Sequence, residues 1–137
     1  MSRVLNVYTD GGARGNPGPA AIGMVIKDEQ GKVIHSFGRT IGEATNNVAE
    51  YRAVIAALEW IKFQSKADRP LAVNFFSDST LIVHQIKREW KIKEAHLKPL
   101  AARVHRLEDG LTVVYTAIPR EQNALADALV NQALDKC

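Results

Sequence analysis

The sequence has a single cysteine, Cys137, and no apolar run near the roughly 20 residues that a membrane-spanning helix needs. One cysteine cannot form an internal disulfide or assemble a cysteine-based zinc site, so Cys137 is assigned no role. The start of the chain also lacks the basic and apolar segments of a secretion signal, since Met1-Ser2-Arg3 leads directly into a strand-like segment. We therefore expect a cytoplasmic protein that does not associate with membranes.

The chain also lacks a linker, an internal repeat and any low-complexity segment. Its length of 137 residues, with 46% hydrophobic and 24% charged residues, is typical of one globular domain with its own core. The formal charge of +3 is mildly basic, which favours a polyanionic partner without identifying one. We expect residues 1–137 to form one domain and the protein to be a monomer.

Apolar periodicity predicts five strands and four helices. The predicted strands are Arg3 to Thr9, a segment around Ile22 to Ile26, Val33 to Gly38, Leu71 to Phe76, and Thr112 to Ile118. The predicted helices run from Asn47 to about Lys62, from a Ser77-Asp78-Ser79 cap through Ile86, from Pro99 to Leu107, and from Asn123 onward with Leu125, Leu129 and Leu134 facing inward. This order predicts an α/β fold with a mixed sheet.

Four acidic residues lie beside the ends of these predicted elements. Asp10 and Asp78 follow two strands, whereas Glu50 and Asp127 lie in the opening turns of two helices. If right-handed crossovers make the first, fourth and fifth strands parallel, all four acids meet at the carboxyl edge of the sheet, where open α/β sheets place their active sites.

A cluster of four carboxylates needs cations. Two carboxylates about 4 Å apart repel by about 4 kcal/mol at an effective dielectric constant near 20. Two divalent ions would supply matching charge, and hard cations such as Mg²⁺ prefer oxygen ligands. A metal pair of this kind serves phosphoryl transfer.

Five motifs resemble those of the type 1 ribonuclease H family, in the same order and over essentially the whole chain. They are Tyr8-Thr9-Asp10-Gly11-Gly12, Gly15-Asn16-Pro17-Gly18-Pro19, Thr45-Asn46-Asn47-Val48-Ala49-Glu50, Ser77-Asp78-Ser79 and Ala126-Asp127. The resemblance implies a ribonuclease H-like fold with strand order 3-2-1-4-5. It also implies Mg²⁺- or Mn²⁺-dependent cleavage of the RNA strand of an RNA/DNA hybrid, which leaves 5′-phosphate and 3′-hydroxyl ends. The two metal ions would be held by Asp10, Glu50, Asp78 and Asp127.

The resemblance further implies a set of residues that bind the hybrid. Asn16, Asn46 and Asn47 would contact it near the minor groove, and Thr45 would help to hold a phosphate of the DNA strand. The cluster Thr45-Asn46-Asn47 is also suited to capping the first helix, and capping by Asn46 and Asn47 is compatible with binding. The remaining candidate substrate-binding residues are Gly11, Arg14, Ser79 and Arg120.

The glycine-rich stretch Gly12 to Gly18 matches neither the dinucleotide fingerprint nor the lysine-containing phosphate loop, and it leads into a strand rather than a helix. We interpret it as a tight turn. Arg14 in this turn either reaches a phosphate or is an idle surface residue.

The sequence departs from the family pattern in two places. Some members carry a longer basic helical protrusion, where this chain has only a short basic stretch from Lys87 to Arg106 that includes Trp90. This stretch either faces nucleic acid or is a solvated surface with Trp90 packed on the core. Many members also carry a histidine before the last acid, but Pro119-Arg120-Glu121-Gln122-Asn123 contains none. The four histidines of the chain, His35, His84, His96 and His105, lie outside this motif.

Three alternatives to a hybrid-specific ribonuclease stay open. The chain could be a hybrid-binding module without hydrolytic activity, although all four acids are present. It could be a nuclease of the same fold that acts on DNA, which the asparagine pair disfavours. It could also have a broader specificity that includes double-stranded RNA.

Overall fold

A five-stranded mixed sheet in the order β3-β2-β1-β4-β5 forms the centre of the computed structural model, which describes residues 3–64 and 71–136. The strands are β1 (Arg3–Ala13), β2 (Gly18–Lys27), β3 (Val33–Ala44), β4 (Leu71–Ser77) and β5 (Leu111–Ala117). The helices are α1 (Asn46–Gln64), α2 (Thr80–Ile86), α3 (Lys98–Leu107) and α4 (Ala124–Asp135). Short 3-10 helices at Ala95–Leu97 and Arg120–Asn123 precede α3 and α4. The predicted fold class is confirmed, and Cys137 lies outside the described residues.

Strand direction places the ends of β1, β4 and β5 at one edge of the sheet. β1 pairs in parallel with β4, and β4 pairs in parallel with β5, whereas β2 is antiparallel to both β1 and β3. The helices that begin at this edge therefore direct their N-termini toward the same region. None of the helices within the described ranges is long and apolar enough to cross a membrane.

Helix α1 is buried on most sides, by β1 and β2 of the sheet and by α3. Its long apolar residues face the main core, as predicted, and its alanines are buried as well. The helix begins where Thr45 Oγ1 accepts a hydrogen bond from the Val48 backbone N–H at 3.2 Å. Thr45, the first residue of the predicted capping cluster Thr45-Asn46-Asn47, is thus the capping residue, whereas the described hydrogen bonds show no capping by the side chains of Asn46 and Asn47.

Helix α4 covers the opposite face of the sheet, over β2 and β3. The residues that it buries are Ala126, Val130 and Leu134, spaced by four along the helix. The prediction that Leu125 faces inward is wrong, because Leu125 lies one residue away from this row and is 58% exposed. The helix approaches the strands closely, since a Cβ at Gly23 would lie 2.6 Å from the Ala126 carbonyl oxygen.

Helix α2 ends with a residue in the left-handed conformation that usually favours glycine. Arg88 has φ 62°, while its N–H donates to the Gln85 carbonyl and the N–H of Glu89 donates to the His84 carbonyl. This is the hydrogen-bond pattern of a Schellman cap. We expect Arg88→Gly to raise the melting temperature by about 3–5 °C, because this conformation costs a non-glycine residue about 1 kcal/mol.

Arg88→Ala is the matched control for this prediction. It removes the same charge and side chain but keeps the Cβ that makes the conformation unfavourable. Thermal unfolding of the two variants separates the backbone effect from the loss of the arginine. Equal melting temperatures for the two variants would rule out the backbone explanation.

Candidate metal centre

Three carboxylates from separate elements converge at the edge of the sheet. Oxygen atoms of Asp10 in β1, Glu50 in α1 and Asp78, between β4 and α2, all lie within 4.8 Å of one another. Asp10 and Glu50 are only 6% and 9% exposed. The predicted convergence of these acids is therefore found in the folded chain.

Asp10 lies inside β1, whereas the sequence predicted a strand that ended at Thr9. The strand extends further than predicted because β1 pairs with its two neighbours, β4 and β2, over different lengths. The parallel pairing of β1 with β4 ends at Tyr8 and Phe76, but the antiparallel pairing with β2 continues through Asp10, which lies opposite Gly23. β1 thus has no strand partner on its β4 side at Asp10.

The fourth acid, Asp127, lies in the first turn of α4, as predicted. Its charge raises the pKa of Asp10, so its carboxyl group lies beside the cluster. The side-chain amide of Asn131, one turn later, donates to the Asp127 carboxylate at 3.4 Å and to its backbone carbonyl at 3.2 Å. Asp127 thus adjoins the three clustered carboxylates through Asp10.

Burial and mutual repulsion make this cluster unfavourable in its charged form. Burial, and then the charges of Asp78 and Asp127, raise the pKa of Asp10 to about 8. Burial, and then the charges of Asp10 and Asp78, raise the pKa of Glu50 well above its ordinary value. Burial also raises the pKa of Asp78, against the lowering effect of the Arg120 charge. A cation would favour the ionised forms and offset this repulsion.

The donor atoms of the cluster fit a hard divalent cation. All of them are carboxylate oxygens, the ligand type that Mg²⁺ and Mn²⁺ prefer. Among the described residues, three buried side-chain oxygens have no hydrogen-bond partner: Glu50 Oε1, Thr9 Oγ1 and Asn123 Oδ1. Since buried polar atoms are normally paired, the unpaired Glu50 oxygen fits the role of a metal ligand.

Gly11 sets the spacing between β1 and α1 at this site. A Cβ at Gly11 would lie 2.3 Å from both the carbonyl carbon and the carbonyl oxygen of Ala49, and 2.6 Å from the Glu50 backbone nitrogen. Only a residue without a side chain permits this approach. The Gly11 backbone N–H also lowers the pKa values of Asp10 and Glu50 by hydrogen bonding.

Sequence reasoning did not single out Asn123 as part of the site. Its side chain is 1% exposed, and its Nδ2 donates to the Thr9 carbonyl at 2.9 Å, which joins the start of α4 to β1. The same side chain lowers the pKa of Asp78. Its position four residues before Asp127, one helical turn, was the only signal in the sequence that could have indicated it.

Most of the predicted site residues line one open cleft of about 410 Å³ around the carboxylates, which we call the acidic cleft. The predicted residues that line it are Asp10, Gly11, Arg14, Asn46, Asn47, Glu50, Asp78, Ser79, Arg120 and Asp127. Asn16 and Thr45 are not among its lining residues. Asn16 is nevertheless joined to it, because its Oδ1 accepts a hydrogen bond from the Asn46 backbone N–H at 3.0 Å.

Two of the lining residues already have structural partners. The Arg14 guanidinium pairs with Asp135 at 2.7 Å, so contact with a phosphate would require this exposed pair to open. Ser79 caps α2, since its Oγ accepts a hydrogen bond from the Ile82 N–H at 3.3 Å. A serine hydroxyl can still donate while it accepts, so this cap leaves Ser79 free to bind a ligand.

The loop before Asp127 places a cation at the cleft. Arg120 begins the 3-10 helix Arg120–Asn123, and its charge lowers the pKa values of Glu50 and Asp78. Among the described residues that line the cleft there is no histidine. Arg120 thus supplies a positive charge at the cleft.

Comparisons with known proteins agree with this arrangement. A family profile described as reverse transcriptase-like matches residues 8–133. The chain is 40% identical over 132 residues, 96% of its length, to ribonuclease HI of Halobacterium salinarum. It belongs to the type 1 ribonuclease H family.

Solved structures of ribonucleases H have the same fold. LC11-RNase H1, isolated from compost by a metagenomic approach, is 49% identical, with a TM-score of 0.89 and 96% of each chain covered. A second structure of LC11-RNase H1, in complex with an RNA/DNA hybrid, is 47% identical, with a TM-score of 0.84 and 96% and 97% of the two chains covered. A homologous ribonuclease H with this fold therefore binds an RNA/DNA hybrid.

Some ribonuclease H relatives are longer than this chain. The chain spans 64% of the length of the Halobacterium salinarum ribonuclease HI. It spans 35% of a bifunctional protein of Mycobacterium tuberculosis, to which it is 37% identical over 131 residues, or 94% of this chain. The similarity therefore covers the ribonuclease H region of those proteins.

Proposed function

We propose that the chain is an endoribonuclease that hydrolyses the RNA strand of RNA/DNA hybrids and leaves 5′-phosphate and 3′-hydroxyl ends. The observation that carries this proposal is the convergence of Asp10, Glu50 and Asp78, with oxygen atoms within 4.8 Å of one another, in a cleft edged by amides and an arginine. The hybrid complex of LC11-RNase H1 supports the choice of substrate.

The proposed cofactor is a pair of Mg²⁺ ions, with Mn²⁺ as a substitute, held by the three clustered carboxylates and Asp127. When bound, such ions activate a water and stabilise the leaving oxygen of the scissile phosphodiester. The protein contributes the carboxylates, and Asn123 and the Gly11 N–H lower the pKa values of these acids, which favours their ionised, metal-binding forms. Arg120 places a positive charge beside the acids, where it can bind a phosphate oxygen.

The asparagines and Thr45 are proposed to bind the two strands of the hybrid. Asn46 and Asn47 line the acidic cleft, and Asn16 is hydrogen-bonded to Asn46 at its margin. Thr45 uses its oxygen as an acceptor in capping α1, but its hydroxyl hydrogen can still be donated to a phosphate of the DNA strand. Capping and substrate binding are therefore compatible at this residue.

The segment between α2 and α3 is proposed as a second contact with the hybrid. Trp90 is 46% exposed and stacks on His84, with ring centroids 4.3 Å apart, so it does not pack in the core. Lys91 and Lys93 beside it are exposed. An accessible aromatic ring among cations is suited to a sugar-phosphate backbone, and this surface is shorter than the protrusion of other members.

The proposal is tested by cleavage of one labelled RNA strand, presented as a hybrid, as double-stranded RNA and alone, with Mg²⁺, Mn²⁺ or a chelator. We expect metal-dependent cuts confined to the hybrid, with 5′-phosphate at each new end. Cuts in double-stranded RNA as well would broaden the substrate class. Absence of cleavage under every condition would reject the enzyme and favour a hybrid-binding module.

A further inference from the structure

The hydrogen bonds of the cleft fix the orientation of two asparagine amides. Asn46 Oδ1 accepts from the Ala13 backbone N–H at 2.8 Å, and Asn16 Oδ1 accepts from the Asn46 backbone N–H at 3.0 Å. A backbone N–H can only donate, so the side-chain atom facing it must be the oxygen in each case. Asn46 and Asn16 therefore retain their NH₂ groups as free donors.

The amide of Asn47 has the opposite orientation. Its Nδ2 donates to Glu94 Oε1 at 3.2 Å, and a carboxylate can only accept, so the NH₂ group is the one that is used. The carbonyl oxygen of Asn47 is left to accept a hydrogen bond at the cleft that this residue lines. The cleft and its margin thus offer two donors, from Asn46 and Asn16, and one acceptor, from Asn47.

The backbone of Glu94 is anchored beside this contact, while its exposed carboxylate also lies 3.8 Å from His96 Nε2. Glu94 lies at the start of the 3-10 helix Ala95–Leu97, where its backbone carbonyl accepts from the Leu97 N–H at 3.0 Å. Its side chain makes no capping hydrogen bond to that helix, although this position favours one. The carboxylate instead reaches Asn47, 47 positions away along the chain.

We propose that Glu94 is a positioning residue for substrate choice: it holds the Asn47 amide so that the carbonyl oxygen accepts a hydrogen bond from a 2′-hydroxyl of the RNA strand. This inference rests on the proposed function. The 2′-hydroxyl is the donor that DNA lacks. Without Glu94 the amide can turn over and present its NH₂ group, which removes the acceptor without removing Asn47.

A charge-only role for Glu94 predicts a different result. A carboxylate beside a polyanion repels any duplex, so its removal would tighten the binding of RNA/DNA hybrid and of DNA duplex equally. The positioning role instead changes the ratio of the two affinities. Glu94→Gln separates the two roles, because glutamine keeps an oxygen that can accept from Asn47 Nδ2 but loses the charge.

The test measures dissociation constants for a labelled hybrid and for the DNA duplex of the same sequence. All variants carry Asp10→Asn, so that no cleavage is expected during the measurement. We expect Glu94→Ala to lower the preference for hybrid by about fivefold, the size of one neutral hydrogen bond, and Glu94→Gln to retain it. Glu94→Ala should cause no further loss in an Asn47→Ala background, because the two residues act through one contact.

A third duplex distinguishes the two possible donors in the groove. The Asn47 oxygen could instead accept from the amino group of guanine. Replacing guanine by inosine in the hybrid would then lower the preference for hybrid as Glu94→Ala does, and the inference would be wrong. It would also be wrong if Glu94→Ala and Glu94→Gln behaved alike, or if the Asp10→Asn parent did not prefer hybrid. Failure of the proposed function is separate, since it appears as absence of hybrid cleavage by the unmodified chain.

Discussion

Asp10→Asn is expected to lower hybrid cleavage by about a thousandfold or more, because the loss of a shared carboxylate removes several kcal/mol of charge stabilisation. Asparagine has nearly the same shape and is neutral at every pH, whereas Asp10 must either carry a charge near Asp78 and Asp127 or bind a proton to remain buried. The metal-free variant should therefore be more stable than the parent. Single-turnover cleavage and urea unfolding in chelator measure the two effects.

Asp109→Asn is the control for this prediction. Asp109 is exposed, in the turn after α3, and is not among the residues that line the acidic cleft. The substitution removes one negative charge of the same type without touching the cluster. Activity and stability should both remain close to those of the parent, and comparable losses of cleavage in the two variants would contradict the metal role of Asp10.

The same carboxylate predicts how stability depends on pH without metal. The pKa of Asp10 is about 8 in the folded chain, against an ordinary value of 3.8, because of burial and the neighbouring acids. Between these values the folded chain binds more protons than the unfolded chain, so the free energy of unfolding falls as pH rises. The urea concentration at the midpoint of unfolding, measured in chelator, should be lower at about pH 8 than at about pH 5. The difference between the two midpoints should be smaller in Asp10→Asn.

Added Mg²⁺ should reduce this loss of stability at the higher pH, because an ion that binds only the folded state stabilises it. Arg88→Gly lies outside the cluster and should retain the pH dependence of the parent. Equal midpoints at the two pH values in the chelator-treated parent would show that the acids do not hold excess protons.

The positions of the four acids could be predicted because strand direction alone determines them. Parallel pairing of β1, β4 and β5 brings their carboxyl ends to one edge. Asp78 directly follows the end of β4, and Asp127 lies in the helix that follows β5. The exact end of β1 could not be predicted. It depends on the difference in length between the ladders on its two sides, which no local pattern records.

The roles of Asn123 and Glu94 could not be predicted for a related reason. Asn123 contacts Thr9 across 114 positions of the chain, and Glu94 contacts Asn47 across 47 positions. Both residues also have ordinary local interpretations, as the start of a helix and as part of a charged stretch. Only the tertiary contacts distinguish the positioning role from these interpretations.

Gly11→Ala is expected to destabilise the fold by about 3 kcal/mol or more, because the new methyl group must displace backbone rather than a flexible side chain. The atoms it would meet at 2.3 Å are the carbonyl carbon and oxygen of Ala49. Relief of this clash moves α1, and Glu50 with it, away from Asp10. A shift of about 1 Å at a catalytic group can cost about a hundredfold in rate, so cleavage should fall even where the variant stays folded.

Gly12→Ala, at the next position of the same strand, is the matched control. Its new methyl group would lie 3.8 Å from Asn46 Oδ1 and 3.9 Å from Val130 Cγ1, which are ordinary contact distances. The expected change in stability is within about 0.5 kcal/mol. Urea unfolding and hybrid cleavage are measured for both variants, which carry the same glycine-to-alanine substitution one residue apart. Equal stability and equal activity of the two would mean that close approach at Gly11 does not hold Glu50 at the metal centre.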